Sequence, residues 1–73
     1  MNKKITSMTL TDVETQDGFT SFDVTWNELE YWFEGSYQET MTSDEFFFMA
    51  CDYLEQTNED VESTETAKID YYC

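Results

Sequence analysis

Large apolar side chains recur at every second position through the first half of the chain, and this period of two constrains the fold most strongly. Met8 and Leu10 are in phase within residues 4–15. Phe22, Val24 and Trp26 are in phase within 19–26, as are Leu29, Tyr31 and Phe33 within 29–34. Successive strand residues face opposite sides of a sheet, so each set predicts a strand with one apolar face. Gln16-Asp17-Gly18 supplies a first turn, with Gly18 suited to a left-handed position, and Asn27-Glu28 supplies a second. A loop at 16–18 sets Leu10 opposite Val24 and Met8 opposite Trp26. A loop at 27–28 sets Trp26 opposite Leu29, Val24 opposite Tyr31 and Phe22 opposite Phe33. All these groups fall on one face, as a half-buried meander requires.

The second half changes period. After Gly35 a polar stretch, 36–41, reads as a loop or a continuation of the sheet edge. Thr42-Ser43-Asp44-Glu45 then has the form of a capping box, in which Thr42 and Glu45 satisfy each other's backbone N–H groups. A helix follows to about Gln56, with Phe46, Met49, Ala50, Tyr53 and Leu54 as its apolar stripe. Residues 58–63 read as a mobile acidic connection. Residues 64–72 close the fold as a strand with Ala67, Ile69 and Tyr71 inward. The expectation is one α+β domain over 1–73, an antiparallel β-β-β-α-β sheet with one helix packed on its apolar face.

Charge decides which functions such a domain can have. Seventeen Asp and Glu oppose Lys3, Lys4 and Lys68, with no Arg and no His, for a net charge of −14. Self-repulsion of this size costs stability, and general solubility needs only a few units. A disordered acidic tail is excluded by the aromatic content of 18%, which also supplies a core of large rings. Nucleic acid and anionic membrane both repel such a surface; basic proteins attract it. The size scaling gives a globule roughly 29 Å across. Duplex DNA of that length carries roughly 17 charges, a density of the same order.

The inventory for chemistry is thin. Without His there is no ordinary acid–base shuttle, and without Arg no phosphate clamp. Gly18 and Gly35 are isolated, so no phosphate-binding loop exists. Residues 58–62 lack the ligand spacing and turn glycine of a calcium loop. No catalytic residue, metal ligand or cofactor is expected, and the chain reads as a non-enzyme. Cys51 and Cys73 are too few for a disulfide framework, and the alternation from Ile5 onward is not a signal-peptide core. A cytoplasmic protein with free thiols is expected, with a Cys51–Cys73 bridge left open by the sequence.

Binding features are plentiful. Glu28, Glu30 and Glu34 line the expected third strand, and Glu39 follows it. Glu30, Trp32 and Glu34 form an outward row, alternate residues being about 6.6–6.8 Å apart, and Asp23 lies opposite Trp32. On the helix, Asp44, Phe48, Asp52, Glu55 and Glu59 follow one another at steps of four or three and make one outward stripe. Trp32 and Phe48 are aromatics among acids. They read either as interface anchors or as residues of a sheet covered on both faces and an overfilled core. A homodimer interface would use the same residues.

In size, charge and compact α+β layout the chain resembles the small acidic proteins with which bacteriophages block host DNA-binding enzymes: DNA-mimicking anti-CRISPR proteins, inhibitors of uracil-DNA glycosylase and anti-restriction proteins. The likeness rests on Asp23, Glu28, Glu30, Glu34, Glu39, Asp44, Asp52 and Glu55. It implies inhibition of a basic nucleic-acid-binding protein in the bacterial cytoplasm, by occupation of its DNA-binding groove without a cofactor. A CRISPR effector is the first target it suggests and uracil-DNA glycosylase the second. The rival reading is an immunity or antitoxin-like protein that neutralises a basic nuclease.

Overall fold

The computed structural model describes residues 4–34 and 38–73. Two strands, β1 (Ser7–Thr15) and β2 (Gly18–Thr25), are followed by two helices, α1 (Trp26–Trp32) and α2 (Ser43–Thr57), and then by β3 (Val61–Ser63) and β4 (Lys68–Tyr72). A short 3-10 turn spans Gln38–Thr40. The strands form one antiparallel sheet, so the fold is α+β. β1 is its centre: β2 pairs along one side, while β3 and β4 pair with opposite ends of the other.

The first hairpin turns tightly. Thr15 pairs with Gly18 across a two-residue loop, and Gly18 takes φ +118°, which favours glycine. The Thr15 hydroxyl donates to the Gly18 carbonyl at 2.9 Å. Further along, β1 carries an extra residue between Leu10 and Val13, where Asp12 adopts φ +60°. Asp tolerates this left-handed conformation better than most residues, and such a bulge kinks one strand. Met8 consequently pairs with Val24 and Leu10 with Phe22, not Trp26 and Val24 as the sequence suggests. The shorter loop and the bulge each shift the register by one. Their sum is even, so Met8, Leu10 and Val24 still face the core.

Residues 29–34 depart from the expected third strand. Trp26–Trp32 is a helix, and none of the pairs Trp26–Leu29, Val24–Tyr31 or Phe22–Phe33 forms. The reason lies in Thr25-Trp26-Asn27-Glu28, a second capping box. The Thr25 N–H and hydroxyl both donate to Glu28 Oε1, at 3.2 and 2.9 Å. Trp26, Leu29 and Phe33 then stand at helical spacing and pack inward, while Tyr31 is left 85% exposed. Over so few residues, periods of 2 and 3.6 fit the same apolar positions, and the cap selects the helix.

The second capping motif is as expected: Glu45 N–H donates to Thr42 Oγ1 at 3.2 Å, and Thr42 N–H to Glu45 Oε1 at 3.0 Å. Both helices lie on one face of the sheet. They close a core of Ile5, Met8, Leu10, Val13, Val24, Trp26, Leu29, Phe46, Ala50, Cys51 and Leu54. Phe46 is fully buried beside Trp26, ring centroids 6.5 Å apart.

Three smaller expectations are corrected. The acidic segment 58–63 contains β3, which pairs with β1 and packs Val61 against the core. The last strand begins at Lys68, after a turn closed by Ala67 N–H to the Thr64 carbonyl. Ala67 and Ile69 pack inward as expected, but Tyr71 is exposed, because a one-residue irregularity in the β4 pairing sets it opposite Thr9 on the outer face. Of the polar stretch 36–41, residues 36 and 37 lie outside the described residues, and Gln38 anchors the rest by donating to the Ile5 carbonyl at 2.9 Å. Cys51 is buried and Cys73 exposed, both as free thiols, so the bridge left open by the sequence is not formed. Among the described residues no helix is long and apolar enough to cross a membrane.

Candidate protein-binding interface

The outer face of α2 keeps the stripe read from the sequence as far as Glu55; Glu59 lies in the turn beyond the helix end at Thr57 and does not belong to it. Asp44, Phe48, Asp52 and Glu55 are all exposed, and Phe48 keeps 67% of its surface in water. The opposite face of the helix supplies Phe46, Ala50, Cys51 and Leu54 to the core. Phe48 is steadied by Phe47, the half-buried ring beside it, at 5.7 Å between centroids. Gln56 donates to Asp52 at 2.7 Å, and the Thr64 hydroxyl donates to Glu55. These contacts fix carboxylates that the helix itself does not need. α2 has no basic residue in its last turn, and Glu55 sits near the negative end of the dipole, an unfavourable place for an acid.

The row Glu30–Trp32–Glu34 is not formed. Two residues along a helix turn by roughly 200°, so Glu30 and Trp32 point to nearly opposite sides of α1. Glu30 and Glu34 are both exposed. Asp23 stands on the outer face of the sheet, where its carboxylate accepts from the Thr9 hydroxyl at 2.5 Å, and it does not oppose Trp32. Glu39 is ion-paired with Lys4 at 3.4 Å, and its carboxyl is held below the usual range by a backbone hydrogen bond and by that lysine. Asp23 and Glu39 are therefore separate from the α2 stripe.

Trp32 is 40% exposed and meets Tyr53 of α2 edge-on, with 6.2 Å between centroids and 80° between planes. Asn27, Glu28, Tyr31, Trp32, Tyr53 and Thr57 enclose an open depression of about 410 Å³ between the two helices. Glu28, read from the sequence as a turn residue among the acids lining a third strand, is half-buried here and held by Thr25. The same carboxylate, close to the Tyr53 hydroxyl, pushes that phenol up from its ordinary value, helped by partial burial. Tyr31, Tyr53, Asn27 and Thr57 were not legible as site residues without the capping box at Thr25–Glu28, the one signal that places them together.

Elsewhere the carboxylates spread and do not converge. Among the described residues no three Asp, Glu or Cys side chains form a group that could hold a metal ion. Lys68 pairs with Asp12 at 3.6 Å. No protein-family model, curated protein or solved structure matches the chain.

Proposed function

We propose that the protein is a DNA-mimic inhibitor: it occupies the nucleic-acid-binding groove of a bacterial enzyme, with a CRISPR effector as the first target class and uracil-DNA glycosylase or a restriction enzyme next. One observation carries this reading. Asp44, Asp52 and Glu55 surround the exposed Phe48 on one outward helix face, in a chain whose net charge is −14. A fixed acidic surface around an apolar ring suits a groove lined with Lys and Arg, where charge steers association and a central aromatic supplies binding energy.

The dimensions refine the likeness. The molecule extends 40 × 23 × 16 Å, longer than a sphere of its mass. Over 40 Å duplex DNA carries roughly 24 charges and a single strand roughly 12. The net charge of −14 lies nearer the single strand, and it is spread over the whole surface, with the α2 face carrying three of the acids.

The test is capture from bacterial lysate with the tagged protein, followed by displacement. The expected result is retention of a nucleic-acid-binding enzyme that duplex or single-stranded DNA releases, and that the variant Asp44→Asn, Asp52→Asn, Glu55→Gln does not retain. Equal retention by that variant, or a target that binds DNA and this protein together, would refute the reading.

A further inference from the structure

The depression between α1 and α2 has a composition that the charge argument alone does not explain. Trp32 and Tyr53 stand at right angles as two walls of a corner, Tyr31 lies beside them almost wholly in water, and the carboxylate of Glu28 lies among them. Trp26 and Leu29 already serve the core from α1, so Tyr31 and Trp32 are not needed to fill it. Aromatic faces attract cations, and a neighbouring carboxylate adds direct charge attraction. The protein supplies no such cation among its described residues. Lys4 is engaged with Glu39 and Lys68 with Asp12, and there is no Arg anywhere in the chain.

We propose that this corner receives an arginine side chain of the partner, the guanidinium lying on the Trp32 or Tyr31 ring with Glu28 as its counter-charge. Arginine fits better than lysine for a physical reason. Its planar, weakly hydrated head can stack on a ring while its N–H groups reach a carboxylate, whereas an ammonium holds its water more tightly. The walls carry phenol and indole groups that accept a flat cation, and the open volume of about 410 Å³ accommodates the side chain. The inference deepens the proposed function and rests on it for the identity of the partner, but the pocket chemistry is separable: α2 would hold any polycation by charge, while the corner would distinguish one basic side chain from the other.

The experiment titrates the isotope-labelled full chain with hexa-arginine and, separately, with hexa-lysine, following the Trp32 indole N–H by nuclear magnetic resonance. The expected result is that hexa-arginine shifts this resonance and binds at least fivefold more tightly than hexa-lysine. Trp32→Ala should abolish the preference. Tyr31→Ser, at a position too exposed to matter for folding, should reduce it, and Asp44→Asn should leave the ratio unchanged while weakening both peptides. If both peptides bind equally and move only α2 resonances, the arginine corner is overturned while the polyanion reading stands. If hexa-arginine moves Trp32 but the captured enzyme does not depend on the α2 carboxylates, the corner is supported and the groove-occupying function falls.

Discussion

The edge-on contact of Trp32 with Tyr53 joins the end of α1 to the C-terminal half of α2, above the core side chains through which the two helices also meet. α1 is seven residues long, too short to be stable alone. It persists because Trp26 and Leu29 are buried under it, because Thr25 and Glu28 close its first turn, and because Trp32 leans on Tyr53. The aromatic corner exists only while all three hold.

Removing the cap tests that dependence. Thr25→Ala deletes one of the two donors to Glu28 and should cost about 1 kcal/mol, the usual net value of one hydrogen bond. Urea unfolding followed by circular dichroism measures it. Loss of the Trp32 exposure pattern, seen as a red-shifted tryptophan emission before global unfolding, would accompany fraying of α1.

Phe46 and Phe48, two positions apart on α2, should respond oppositely. Phe46 is fully buried and Phe48 is 67% exposed. Phe46→Ala should cost about 3–5 kcal/mol, a large share of the roughly 4–11 kcal/mol that a domain of this size has in total. Phe48→Ser should change stability by no more than about 0.5 kcal/mol yet weaken binding to the captured enzyme. A Phe48→Ser variant that unfolds would place that ring in the core and remove it from the interface.

Much of this architecture can be read from residue order, and the reason differs by element. α2 announces itself because Thr42 and Glu45 mark its start and its apolar stripe runs for several turns, long enough to separate a period of 3.6 from a period of 2. The inward set Met8, Leu10 and Val24 is recoverable because two one-residue shifts of register in the same direction add to an even number and preserve parity. α1 is hidden by its brevity: Leu29, Tyr31 and Phe33 alternate as well as any strand, and only the box at Thr25–Glu28 contradicts them. With the helix misread, the acidic row through Glu30 and Glu34 dissolves, whereas the α2 stripe stands because it depends on no strand register. The bulge at Asp12 follows from how β1 pairs with β2, and the short β3 from its long-range pairing with β1, neither of which the period of the apolar residues encodes.

Two acid groups and two alkaline ones should give the stability curve opposite slopes at its ends. Glu39 and Glu45 have folded-state pKa values lowered, Glu39 by a backbone bond and Lys4, Glu45 by its bonds with Thr42. Their contribution is present above the ordinary glutamate range and is lost as pH falls through their lowered values. Cys51 is raised mainly by burial and Tyr53 mainly by Glu28. Their contribution is complete below the ordinary thiol and phenol values and disappears as pH climbs through the raised ones. The melting-temperature difference between the parent and Glu45→Gln should therefore vanish in the acid range, melts should drop above the ordinary thiol pKa of about 8.5, and Glu28→Gln should bring the Tyr53 absorbance titration back down. A Tyr53 titration unchanged in that variant would contradict the contact.

Salt should stabilise the free protein and weaken its complex. Raising ionic strength from about 0.01 M to about 1 M shortens the screening length from about 30 Å to about 3 Å, which relieves repulsion within a chain of net charge −14. The melting temperature of the isolated protein should rise over that range. A fall would mean that Lys4–Glu39 and Lys68–Asp12, both exposed pairs, contribute more than exposed ion pairs ordinarily do.

A competition between this protein and a fluorescent DNA duplex for the captured enzyme, run across a salt series, decides the matter. The expected outcome is mutually exclusive binding, with affinity falling steeply as salt rises, and no competition from the chain carrying Asp44→Lys, Asp52→Lys and Glu55→Lys. Simultaneous binding of protein and duplex, or full competition by the charge-reversed chain, would show that the α2 face does not stand in for phosphates.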